Sequence, residues 1–262
     1  DEGSCFTVKA CNKTQLFVSR RVHKSMDIKR IIVWGDSILK GIVQGQPGAP
    51  RMYDVLPDNA LKLATNEYDL EVTNHCYFGN TVEKGITIVE RDLSHGLVSD
   101  AGILEFGGND CDYKWDDICK EPQIYHDPNT PLAKFTVYMQ KMIDMLREHG
   151  IKPIIMTLTP LVADRYFETI SKNRNPDVIY KWLGDKEFLY RWQEMYSEAA
   201  AKLSLKNDCF LLDARSAFLA EHNYQRLICE DGIHLNKEGH EFLLHVFEAN
   251  LNEKEKKKKK AS

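Results

Sequence analysis

The sequence predicts an α/β fold, one domain built on a five-stranded parallel sheet. Five short apolar runs are separated by stretches of ten or more residues with helical spacing, the pattern of βαβ units. The runs are almost wholly apolar rather than alternating, as Ile31 to Trp34 and Ile154 to Leu158 show, which fits strands covered on both faces. With 262 residues, 43% of them hydrophobic, the chain can build one large core without staples.

The elements follow in order. Arg30–Trp34 predicts the first strand, stopped by Gly35, with helical spacing over Ile38–Val43. Leu70–Asn74 is the second strand, and after Gly79 a helix is expected over Val82–Leu93. Ala101–Phe106 is the third, ending at Gly107-Gly108; the amphipathic Leu132–Glu148 then closes at His149-Gly150, a helix stop. Pro153–Leu158 is the fourth strand, broken by Pro160, and Phe188–Leu205 is helical. Cys209–Asp213 is the fifth, and Lys237–Leu251 forms the final helix. Residues 1–28 fall outside this rhythm, although Phe6–Ala10 and Gln15–Ser19 could pair as edge strands. The expected division is an N-terminal extension (1–28), one α/β domain (29–252) and a Lys-rich tail (253–262) that continues the last helix into solvent.

Composition excludes several functions. No apolar run approaches the roughly 18 residues of a membrane-spanning helix. The formal charge is −4, and the stretch from Leu251 to Lys260 holds six Lys against two Glu, so the remainder is near −8. That body is a poor match to nucleic acid. Seven cysteines form no regular framework, so reduced thiols are expected. Together with the lack of a basic segment leading into an apolar run, this reads as a cytoplasmic protein. There is no G-x-x-x-x-G-K-[ST], and Gly41, Gly45 and Gly48 read as a loop. Nor is there a G-x-S-x-G elbow. Cys111, Cys119 and His126 match no zinc spacing, so neither metal nor cofactor is expected. In the His75-Cys76 pair the two side chains should face opposite sides of a strand, and Cys76 reads as a buried thiol.

In open α/β sheets ligands bind beyond the carboxyl ends of the strands. Four patches fall there: Gly35-Asp36-Ser37, Gly79-Asn80-Thr81, Gly107-Gly108-Asn109-Asp110 and Asp231-Gly232-Ile233-His234. Each alone reads as a turn or a helix cap. Together, on one rim, they supply what acyl transfer needs. A serine hydroxyl is a weak nucleophile until an imidazole takes its proton, and that imidazole needs a carboxylate to set its tautomer. Ser37 lies where a strand turns into a helix, and Asp231 is three residues before His234, a spacing that lets the carboxylate reach the ring. The developing oxyanion needs donors, which the backbone N–H groups of Ser37 and Gly79 and the amide of Asn109 could provide.

In this order and placement, Gly35-Asp36-Ser37, Gly79, Gly107-x-Asn109-Asp110 and Asp231-x-x-His234 resemble the four blocks of the SGNH hydrolase superfamily, the GDSL esterases and lipases. The resemblance runs from about Lys29 to Leu251; Ile38 stands where the family name has Leu. It implies a flavodoxin-like three-layer α/β/α sandwich, Ser37 as nucleophile, His234 as general base and acid, Asp231 as its orienter, Ser37, Gly79 and Asn109 around the oxyanion, and no metal.

Substrate choice is expected from three loops: Asp110–Pro131, Pro160–Gly184 and Gln46–Asn59. Asp36, Tyr53, Trp115 and Tyr166 are the candidate substrate contacts. Aromatics on such loops can stack on sugars or clasp an acyl chain, or serve as satellite core. Asp213 either lines the pocket or caps the helix from Ala214. The reading is hydrolysis of a small ester with a short acyl group, such as an O-acetylated sugar. Lysophospholipase, thioesterase or acyltransferase activity on the same site stays open, and so does a catalytically silent binding module.

Overall fold

A computed structural model describes residues 28–45, 51–68 and 70–261, with side chains as far as Asn250. The two strand candidates before residue 28 lie outside the described residues. The elements in chain order are β1 (Arg30–Gly35), α1 (Ser37–Lys40), β2 (Ile42–Gln44), β3 (Tyr53–Val55), α2 (Ala60–Tyr68), β4 (Glu71–Asn74), α3 (Val82–Ser94) and β5 (Ala101–Glu105). They continue with α4 (Trp115–Lys120), α5 (Leu132–Glu148), β6 (Lys152–Met156), α6 (Ala163–Ser171), α7 (Pro176–Leu183), α8 (Glu187–Lys206), β7 (Phe210–Leu212), α9 (Ala214–Leu219) and α10 (Lys237–Ala261).

The main sheet runs β4-β1-β5-β6-β7, and every neighbouring pair is parallel. Successive side chains of its inner strands enter different cores. Ile32 and Trp34 of β1 pack with Val82, Phe135 and Met139 beneath α3, α5 and α8. Val33 packs with Phe218, Leu243 and Phe247 beneath α9 and α10. Ile103 and Leu104 split in the same way, as do Ile154 and Ile155. A strand apolar at every position is thus a strand with two covered faces.

Three expectations change. The helix over Ile38–Val43 stops after Lys40, because Gly41 takes a left-handed φ of 83° and caps α1, and the chain then runs into β2. The stretch from Gln46 to Asn59 is not all loop, since Tyr53–Val55 pairs antiparallel with Ile42–Gln44. The second long insert, Pro160–Gly184, is largely helical, and the first carries the short α4. Their α4, α6 and α7 close an apolar cluster of their own around Ile118, Leu161, Phe167 and Ile179. The signal was there in Phe167 and Ile170, three apart, and in Ile179 and Leu183, four apart, but the polar residues among them obscured it.

Smaller readings also resolve. Asp213 accepts the N–H of Ser216 and so caps α9. Cys76 is fully buried, whereas His75 turns the other way to Asp92. Five cysteines (Cys76, Cys111, Cys119, Cys209 and Cys229) are unpaired. Among the described residues no helix is long and apolar enough to cross a membrane, and no cluster of His, Cys, Asp and Glu could hold a metal ion.

Candidate active site

The strand order reverses between β1 and β5, and the crevice beyond their carboxyl ends is the expected ligand site of such a sheet. Ser37 opens α1 directly after β1. Asp36 is its N-cap, accepting the Ile38 N–H on Oδ1 at 2.9 Å, which anchors the start of the short helix and with it the serine.

His234 and Asp231 arrive from the far end of the chain on the turn before α10. Asp231 Oδ1 accepts the N–H groups of Ile233 and His234, both at 3.0 Å, so the carboxylate folds its own turn. Its other oxygen, Oδ2, lies 2.6 Å from His234 Nδ1, and His234 Nε2 lies 2.9 Å from Ser37 Oγ. All three side chains are buried. The imidazole therefore has one nitrogen on a carboxylate and the other on a hydroxyl, the geometry proton transfer from that hydroxyl requires. Burial pushes Asp231 up, but the His234 hydrogen bond, its charge and the two N–H groups outweigh this and hold it below the ordinary carboxylate value.

Four further groups here were missed by sequence reasoning. Gln44 of β2 accepts the Asp231 N–H at 2.9 Å, and Thr169 donates to the Asp231 carbonyl at 3.0 Å. Phe78 stacks on the His234 ring at 5.8 Å with an interplanar angle of 13°. Glu105 lies buried at the end of β5, its Oε2 accepting the Asp36 N–H at 3.3 Å. A lone carboxylate in the apolar run Ala101–Phe106 was a visible signal for the last; Gln44, Phe78 and Thr169 had none beyond position.

The expected oxyanion groups are arranged unequally. Asn109 reaches the site, but its amide nitrogen already donates to Asp36 Oδ2 at 3.1 Å and to the Asn80 carbonyl at 3.0 Å. Gly79 takes a φ of 69°, and no protein atom lies within 4 Å of where its Cβ would be. Backbone conformation, rather than protein crowding, is what selects glycine there. Asp110, beside Asn109, is fully buried and caps α3 through the Val82 N–H at 2.9 Å.

A cavity of about 70 Å³ opens at Ser37, His234 and Asn109. Trp115, Tyr166, Leu161 and Trp192 wall it, with the polar Thr159 and Gln193 among them. Trp115 and Tyr166 are thus both cavity wall and part of the apolar cluster of the inserts. A wider surface groove of about 610 Å³ shares Asp112, Tyr113, Trp115 and Tyr166 with this cavity. Tyr53 and Gly79 do not line the cavity. Tyr53 instead sets its ring 5.0 Å from that of His234, and burial and the Asp231 charge push its hydroxyl up to about 12. Asp36 borders the cavity, with one carboxylate oxygen on the Ile38 N–H and the other on the Asn109 amide.

Burial, together with the nearby Asp36 charge, pushes Asp110 up to about 7. Between the ordinary carboxylate value and pH 7 the folded protein therefore holds a proton that the unfolded chain has lost. Stability from this group is full at low pH and declines as pH rises through 7. Asp110→Asn keeps an acceptor for the Val82 N–H without the ionisation. The expected outcome is a thermal midpoint that falls several degrees less between pH 5 and pH 8 than in the wild type. Parallel melting curves showing the same slope for both proteins would refute it.

Comparison with known proteins agrees with the fold. Residues 33–242 match the model of the GDSL-like lipase/acylhydrolase family. Searching curated proteins returns no match. Among solved structures, a lipase/acylhydrolase from Enterococcus faecalis is 18% identical, with a TM-score of 0.60 over 86% of this chain and 97% of that one. A catalytic mutant of an acetylxylan esterase from Geobacillus stearothermophilus is 16% identical, with a TM-score of 0.57 over 87% and 95%. An α/β hydrolase enzyme from the metagenome of Lake Arreo, Spain, is 17% identical, with a TM-score of 0.60 over 87% and 96%. Fold and family together define a carboxylic ester hydrolase. The chain belongs to the GDSL-like lipase/acylhydrolase family.

Proposed function

We propose that the protein hydrolyses short acyl esters through an acyl-serine intermediate. The observation that carries this is the row Ser37 Oγ–His234 Nε2 at 2.9 Å and His234 Nδ1–Asp231 Oδ2 at 2.6 Å, standing at the mouth of a small cavity. Ser37 attacks the ester carbonyl and His234 takes the hydroxyl proton. Asp231, held ionised, keeps the imidazole in the tautomer with its free nitrogen on serine and stabilises the imidazolium. His234 then protonates the leaving alkoxide. Water, deprotonated by the same ring, releases the acid and regenerates Ser37. The backbone N–H groups of Ser37 and Gly79 and the Asn109 amide are the donors for the oxyanion.

Cavity size supports a short acyl group. About 70 Å³ is small beside the roughly 300–1,000 Å³ of pockets that take drug-sized ligands. The mixed lining of indole, phenol, threonine and glutamine suits an acetyl group, and the wider groove next to it offers room for a polar alcohol such as a sugar. A second reading, a longer chain, draws on the exposed Met52 and Phe78 beside Tyr53, an apolar lip outside the cavity. A p-nitrophenyl ester series from acetate to palmitate separates the two. The expected kcat/KM is highest for acetate or butyrate and falls with chain length. A maximum at eight carbons or beyond would overturn the short-acyl reading and favour the lip.

A further inference from the structure

Glu105 is opposite Gly35 in the register of β5 and β1, and a Cβ on Gly35 would sit 2.9 Å from its Oε2. The carboxyl group therefore fills a slot that only glycine leaves open, directly beneath Asp36. Both residues are almost wholly buried, at 1% and 2% exposure. Among the described residues neither forms an ion pair with a lysine or arginine; the titratable groups that sense them are Cys76, Cys111, Asp110 and His234, with Lys40 near Cys76. Two ionised carboxylates without a cation are not stable in such a place, and one of them keeps a proton. Burial drives both upward. Glu105 goes further, because the Asp36 charge opposes its ionisation, while the Ile38 N–H, His234 and Asn109 all favour the charged form of Asp36. The proton belongs to Glu105 and the charge to Asp36.

We infer that Glu105 is a positioning residue whose carboxyl group, in its acid form, donates a hydrogen bond to the Asp36 carboxylate. It thereby holds Asp36 on its two partners, the Ile38 N–H at the head of the serine's helix and the Asn109 amide. Glu105 touches no reacting atom in this account. It acts on the oxyanion donor through Asp36, and the inference rests on the reading of Asn109 given above.

The test uses two substitutions. Glu105→Gln keeps a donor to Asp36 in the same volume, while Glu105→Met keeps the volume and removes the donor. Turnover of p-nitrophenyl acetate is measured in each, normalised to the sites that react with a fluorophosphonate. The expected kcat loss is about threefold for E105Q and about ten- to a hundredfold for E105M, with KM unchanged. In an Asn109→Ala background E105M should add less than about threefold, because both changes then remove one interaction. Infrared difference spectra of E105Q against the wild type at pH 7 should show the loss of a protonated-carboxyl band, a readout that holds even if E105M does not fold. Equal kcat losses for E105Q and E105M, no loss for E105M, full multiplication with N109A, or no such band would each overturn the inference. An unchanged kcat in N109A alone would instead overturn the oxyanion reading.

Discussion

Ser37→Ala is expected to lower kcat for any accepted ester by on the order of 10⁶, leaving only what binding and the oxyanion donors contribute. The fold should survive. The hydroxyl's contact is the 2.9 Å bond to His234, worth about 1 kcal/mol in a typical case, while the N-cap that forms α1 belongs to Asp36. His234→Ala should lose nearly as much, and the double variant little more, because the serine and the imidazole act as one unit. Kinetics on p-nitrophenyl acetate, with fluorophosphonate labelling followed by mass spectrometry, reads both claims. Label on a residue other than Ser37, or S37A retaining more than about one hundredth of the activity, would move the nucleophile elsewhere.

How far the sequence reveals this site depends on the reach of each interaction. Elements set by local patterns were legible: β1, β5 and β6 as apolar runs, α5 up to its stop at His149-Gly150, and the Asp231-x-x-His234 turn, whose hydrogen bonds span two and three residues. Interactions that join distant segments were not. Gln44 meets Asp231 across 187 positions, and nothing in Ile42–Gln44 marks a strand that will pair with Tyr53–Val55. The Asp36 carboxylate shows the same limit. Its position beside the serine suggested contact with substrate and its capping bond two residues ahead is local, but its bond to an amide 73 positions away had no sequence signal. Trp115 and Tyr166 could be placed on inserts from composition, yet only the packing of α4 against α7 and of α6 against its neighbours turns them toward the cavity.

Asn109 is where the resting geometry and the proposed chemistry differ most, and its replacement carries the second large effect. Its two amide protons already have acceptors, the charged Asp36 Oδ2 at 3.1 Å and the neutral Asn80 carbonyl at 3.0 Å. An oxyanion forming at Ser37 can claim one of them. Hydrogen bonds to charged acceptors are the stronger, so the amide should leave the Asn80 carbonyl and keep Asp36 as its pivot. A ground-state ester carbonyl is a neutral acceptor and offers no such gain over the Asn80 carbonyl. The new bond therefore forms in the transition state, and it should act on kcat rather than on KM. Asn109→Ala is expected to lower kcat by about 10²–10³, or roughly 2.7–4 kcal/mol, with KM nearly unchanged. Asn109→Asp should fall at least as far, since it loses the donor and adds a carboxylate facing Asp36. Steady-state kinetics of the two variants on p-nitrophenyl acetate checks this, and a KM that rises while kcat holds would make Asn109 a substrate-binding group instead.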